Sequence, residues 1–89
     1  MFEAIEYIEE EVAGLPTGLV VERAIGSFLT GAEAVLAARA ARASHQTRQE
    51  YAWWVVRREG EQLASWIADS RSGREFVVDI SSGRVVDLV

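Results

Sequence analysis

The sequence predicts an α+β domain in which two N-terminal helices, the second long and bent at Thr30-Gly31, pack on a C-terminal four-stranded antiparallel β-meander. Three observations predict it. Apolar residues recur at helical spacing through the first half of the chain. Aromatic and β-branched runs fill the second half. Glycine-containing turn signals then punctuate those runs, with Asp69-Ser-Arg-Ser-Gly73-Arg74 echoed ten residues later by Asp79-Ile-Ser-Ser-Gly83-Arg84. The chain reads as one domain over 1–89, with a helical part at 1–48 and the meander at 50–89.

In the first element Phe2, Ile5, Ile8 and Val12 fall three or four residues apart, with Glu3, Glu6, Glu9, Glu10 and Glu11 between them. That spacing predicts an amphipathic helix. Its acidic stripe has two readings, a solvated face or a docking stripe for a basic partner. Gly14-Leu-Pro-Thr-Gly18 ends it, because Pro16 restricts the residue before it and has no backbone N–H. A second helix is expected from Val21, Ile25, Phe28, Leu29, Ala32, Val35 and Leu36. Thr30 with Glu33 makes a capping box inside it, hence the bend. A neighbouring face is small throughout (Gly26, Thr30, Ala34, Ala37, Ala38, Ala41), and small side chains let a second helix approach closely. The occupant of that face is either the first helix or a second copy in a homodimer.

The meander begins at Tyr51. A two-residue turn at Glu59-Gly60 pairs Val56 with Leu63, Trp54 with Ser65 and Ala52 with Ile67. A four-residue connection from Ser70 to Gly73 then pairs Ile67 with Phe76, Ser65 with Val78 and Leu63 with Ile80. The expected core face is therefore Ala52, Trp54, Val56, Leu63, Ile67, Phe76, Val78 and Ile80. The opposite face collects Tyr51, Trp53, Val55, Trp66 and Val77, which is too apolar for a face that meets only water.

Phe76 to Leu88 resembles the terminal strand-turn-strand of PepSY-type domains, and it is similar to the C-terminal hairpin of some small bacterial immunity proteins. Both resemblances imply a non-enzymatic role in binding or inhibition.

Composition narrows the chemistry. No cysteine is present, which removes disulfides, thiolate catalysis and cysteine-ligated zinc, and no apolar run is long enough to span a bilayer. With an acidic start in place of a secretory leader, the expectation is a cytoplasmic protein. Charge is segregated: residues 1–22 hold six Glu and no base, residues 23–58 hold six Arg against two Glu, and the remainder holds six acids against three Arg. The net charge is -5. Arg39, Arg42, Arg48, Arg57 and Arg58 beside Trp53 and Trp54 form a basic cluster with aromatics, but the field of the whole chain opposes a phosphate backbone, so nucleic acid is not expected. His45, the one histidine, adjoins Ser44, and neighbours in sequence do not face each other on a helix, so no triad forms. Asp69, Asp79 and Asp87 lack the spacing of a calcium loop and read as turn residues; no metal and no cofactor is expected.

These readings converge on a small acidic protein-binding domain, an inhibitor, immunity or accessory protein that occludes a partner surface. Tyr51, Trp53 and Trp66 are its expected anchors, and Glu6, Glu9 and Glu10 are expected to steer a basic partner. A homodimer through the outer sheet face or the Ala/Gly face of the second helix is part of that expectation. The alternatives are a small-molecule or catalytic domain with a pocket between helix and sheet, and a structural subunit of a larger assembly.

Overall fold

The computed structural model describes residues 1–45, 50–79 and 81–88. It corrects the expected fold class: one helix and one six-stranded antiparallel sheet replace two helices over a four-stranded meander. The strands are β1 (Phe2–Val12), β2 (Leu15–Phe28), β3 (Glu50–Arg58), β4 (Trp66–Asp69), β5 (Glu75–Val78) and β6 (Val85–Asp87), and the helix α1 (Gly31–Ser44) lies between β2 and β3 in sequence. The strand order across the sheet is β2-β1-β3-β4-β5-β6, so β1 is an interior strand.

The segment expected as a first helix is β1, and the start of the expected second helix is β2. Ala13 and Gly14 decide this locally. Both take positive φ (54° and 78°), the geometry of a tight hairpin turn, and they set Val12 opposite Leu15. The spacing of Phe2, Ile5, Ile8 and Val12 misleads because β1 has apolar residues on both of its faces. The pleat sends Phe2, Ala4, Glu6 and Ile8 toward the helix and Ile5 and Tyr7 away from it, as their pairing with β3 requires. An acid within the inward set broke the strand alternation.

Thr30 is where the helix starts. Its hydroxyl accepts the Glu33 N–H at 3.2 Å, capping the first turn. The face expected to meet another helix instead meets the sheet. Ala34 and Ala38 are fully buried there, with Val35 and Ala41 beside them, while Gly26 belongs to β2 and Thr30 is the cap. Small side chains let the helix axis sit close over Ala4, Ala52 and Ala68, leaving room for Trp54 and Trp66 as the bulky core residues. Arg39 clasps Glu75 with two charge-assisted hydrogen bonds, one of 2.8 Å, tying the exposed side of α1 to β5.

The C-terminal register also needs correction. A turn does form at Glu59-Gly60, closed by the Glu61 N–H on the Arg58 carbonyl at 2.9 Å, but it does not join β3 to β4 as a two-residue hairpin. Residues 59–65 form a longer connection, in which Glu59 N–H donates to the Met1 carbonyl and Ser65 N–H to the Val56 carbonyl. Val56 consequently faces Trp66, and Val55 faces Ile67. Compared with the expected register, every residue of β4 changes face. The pairing of Ile67 with Phe76 holds, so β5 changes face with it. Trp66 therefore enters the core at 1% exposure, Ile67, Phe76 and Val78 leave it for the outer face, and Leu63 lies in the connection, 74% exposed. Ala52, Trp54 and Val56 are core as expected; Ile80 lies outside the described residues.

Candidate functional site

The sheet has one covered face and one open face, since α1 is the only helix among the described residues. On the open face the register aligns rows of side chains across the strands. One row runs Ala24, Ile5, Val55, Ile67, Phe76; the next runs Glu22, Tyr7, Trp53, Asp69; a third sets Val20, Glu9 and Tyr51 side by side. The aromatic residues in these rows touch. Tyr7 stacks on Trp53 with centroids 5.4 Å apart and planes 13° from parallel, and Tyr51 lies 5.7 Å from Trp53 on its other side. The Arg71 guanidinium sits 5.4 Å from the Tyr51 ring and is held there by Glu11 at 2.8 Å. The result is a stacked, partly buried aromatic platform on interior strands, beside Ile5 and Val55, which are buried within the same face. Offset-stacked rings gain about 0.5–1.5 kcal/mol beyond their burial.

Electrostatics around the platform are acidic and fixed. Burial opposes the charge on Asp69, but the backbone N–H groups of Ser72 (2.6 Å) and Arg71 (2.8 Å) outweigh it, and its pKa lies below the ordinary aspartate value. Burial pushes the Tyr51 phenol up, and its hydrogen bond with Asp69 adds to the shift. Glu3 pairs with Arg57 at 3.0 Å. Glu9 and Glu22 add further negative charge to the same face.

No family model, curated protein or solved structure matches this chain. Its site therefore stands on geometry alone.

The structure divides the expected anchors. Tyr51 and Trp53 lie together on the open face. Trp66 does not join them: it is under the helix, opposite Val56 and Val77, because of the changed β3–β4 register. The steering acids also separate. Glu9 borders the platform and Glu10 is exposed on the other side of the sheet, but Glu6 is 3% exposed and structural. Its carboxylate accepts the Trp54 indole N–H at 2.7 Å and pairs with Arg23 at 2.8 Å, which satisfies an acid in the core. Tyr7, which stacks on one side of the central Trp53, is not among the expected anchors, since its place opposite Trp53 follows only once the first element is a strand; the Ala13-Gly14 turn is the signal that points to it.

A second concavity, of about 470 Å³, opens between the C-terminal half of α1 and strands β1 and β2, lined by Glu6, Ile8, Arg23, Ile25, Ala41 and His45. His45 rests edge-on against Trp54 at 5.5 Å, and its Nε2 is buried with no hydrogen-bond partner among the described residues. The Ser44 hydroxyl donates to the Ala40 carbonyl, away from any dyad with His45. Of the expected basic cluster, Arg39 and Arg57 are paired with Glu75 and Glu3, Arg58 lies over the Phe2 ring, and Arg48 is outside the described residues. Asp69 and Asp79 cap their turns; among the described residues no group of three potential metal ligands comes together, and no helix is long and apolar enough to cross a membrane.

Proposed function

We propose that this domain is a non-enzymatic protein-binding module that occludes a surface of a partner protein with the open face of its sheet. The observation that carries the reading is the stacked Tyr51-Trp53-Tyr7 platform, partly buried and lying on the side of the sheet away from its only described helix. Large aromatic side chains held on strands lose little freedom on binding, and such residues dominate interface energetics. The acidic rim of Glu9, Glu22 and Asp69 favours a partner with a basic border around an apolar patch, and net charge -5 speeds encounter with it. This is the mode of an inhibitor, immunity or accessory protein.

The test has two stages. The wild-type chain captures its partner from the extract of the native cell, and the identified partner is then titrated with purified variants. Trp53→Ala should weaken binding by at least about tenfold, since a central aromatic anchor contributes roughly 2 kcal/mol or more. Unchanged affinity in a folded Trp53→Ala chain would remove the platform from the interface.

The cleft beside His45 supports a second reading, a small-molecule site between helix and sheet, because it joins an apolar wall to an unpartnered ring nitrogen. A ligand-library thermal-shift screen separates the two: stabilisation abolished by Ala41→Trp, which fills the cleft and leaves the platform intact, would favour this reading.

A further inference from the structure

The two edges of the sheet differ. β6 is three residues long, and a short edge offers little to pair with. β2 is fourteen residues long, exposed at every position from Leu15 to Ala24, and, among the described residues, bordered on one side only, by β1. An open edge of this kind presents a row of unpaired backbone groups, and chains normally blunt it with proline, charge or bulges. Here the blunting devices sit at the ends. Pro16 and the irregularity at Gly18 (φ +79°) interrupt one end, and a bulge between Ala24 and Gly26 interrupts the other. Between them the pairing with β1 is regular from Val20 to Ala24, and this stretch with its neighbour Leu19 displays Leu19 (65% exposed), Val20 and Val21 (64%). In a chain of net charge -5, β2 carries one acid and one base, Glu22 and Arg23, so it is locally neutral.

We propose that the occupant of this edge is a second copy of the chain, joined by antiparallel pairing of β2 with β2 about a two-fold axis at Val21. Self-complementarity selects both occupant and register. A two-fold axis normal to the sheet preserves faces, so the axis must pass through a residue position. An axis at Glu22 sets two glutamates against each other and runs Leu19 into the bulged Ile25. An axis at Val20 runs Glu22 and Arg23 into the irregular Gly18 and Thr17. An axis at Val21 sets Val21 against its own equivalent, Leu19 along the aliphatic stem of Arg23, and Val20 against Glu22, with no like charges opposed. The paired sheets become one sheet of twelve strands, and the same symmetry places both aromatic platforms on one side of it. The dimer thus offers two copies of the proposed docking face, which raises avidity for a partner that is itself repeated or two-fold.

Sedimentation velocity on the full chain should give twice the 9.8 kDa mass. The cysteine-free background makes single thiols clean reporters. Directly opposed residues have Cα atoms about 4.5–5.5 Å apart, within disulfide reach, so Val21→Cys should cross-link on mild oxidation. Val20→Cys should not, because its equivalents are offset by two residues along the strands. Val21→Lys, at an exposed position that tolerates charge, should keep the far-UV spectrum while weakening the dimer at least about tenfold. Trp53→Ala should remain dimeric, so loss of partner binding and loss of self-association are read separately. A monomer at every concentration up to the solubility limit overturns the proposal. So does a dimer that survives Val21→Lys, or one that cross-links through Val20→Cys in preference to Val21→Cys.

Discussion

Trp66→Ala reports directly on which way β4 faces. The indole is 1% exposed in a core otherwise built mainly from alanines, between Val56 on β3 and Val77 on β5. Its removal forfeits about 200 Å² of buried aromatic surface, near 5 kcal/mol at 25 cal/mol/Å², and large-to-small changes of this type cost about 3–5 kcal/mol. A domain of 89 residues has roughly 5–13 kcal/mol in total. Trp66→Ala should therefore lower Tm by about 15 °C or more, or unfold the chain outright. Trp53→Ala removes a ring of the same size that is only partly buried on the open face and should cost less, about 2–3 kcal/mol from lost burial and lost stacking on Tyr7 and Tyr51. Guanidinium melts followed by far-UV circular dichroism compare the two without depending on the deleted fluorophore. If Trp66→Ala stays within about 1 kcal/mol of the parent chain, or if the two variants lose equal stability, β4 does not present this face to the helix and the assignment of both tryptophans fails.

Other expectations follow from the same contacts. Glu6→Ala should cost about 2–4 kcal/mol in urea melts, because the Trp54 N–H loses its acceptor in the core, while Glu6→Gln, which retains an acceptor oxygen, should cost about half as much. Asp69 and Glu75 both have pKa values lowered by folding, Asp69 by its backbone donors against opposing burial and Glu75 by the hydrogen bonds of Arg39. Their stabilisation is complete above the unfolded carboxylate range near about 4 and is lost as pH falls through the lower folded values, so Asp69→Asn and Glu75→Gln should each flatten the acid limb of a stability-pH profile. Thr30→Ala should cost about 1 kcal/mol through loss of the helix cap, read as a shift in the denaturation midpoint. Ala13→Gly should raise the melting temperature, by up to about 1 kcal/mol in stability, since Ala13 holds a positive φ that glycine adopts without strain.

Local signals in the sequence translated well where the chemistry was local. Thr30 and Glu33 marked a capping box, expected at a bend within a longer helix and found to start the helix outright, and the aspartates at 69 and 79 marked turns whose backbone donors they accept. Trp53 and Tyr51 were legible as outward residues because the first half of β3 alternates with Ala52 and Trp54; the alternation ends at Val55, which is buried on the outer face. Two non-local facts were not legible. An interior strand covered on one side and stacked with aromatics on the other loses its alternation, and with Glu6 turned inward β1 imitates an amphipathic helix. The length of the connection at 59–65 is set by tertiary docking, including the Glu59 bond to the Met1 carbonyl, and one residue of parity there decides the face of every later strand. The site differs accordingly: Trp66 lies under the helix, Glu6 is buried against Trp54 and Arg23, and Tyr7 stacks on Trp53.

The placement of β1 between β2 and β3 bears on synthesis. A nascent chain emerging from the ribosome can close the Ala13-Gly14 hairpin early, but the other flank of β1 must wait for Glu50–Arg58, so a two-stranded ribbon with Ile5, Tyr7 and Ile8 uncovered persists meanwhile. The glutamates spaced along that ribbon keep it apart from its neighbours on a polysome. Like charge on the ribbon opposes its association with another copy until Glu6 pairs with Arg23 and Glu3 with Arg57 in the finished sheet.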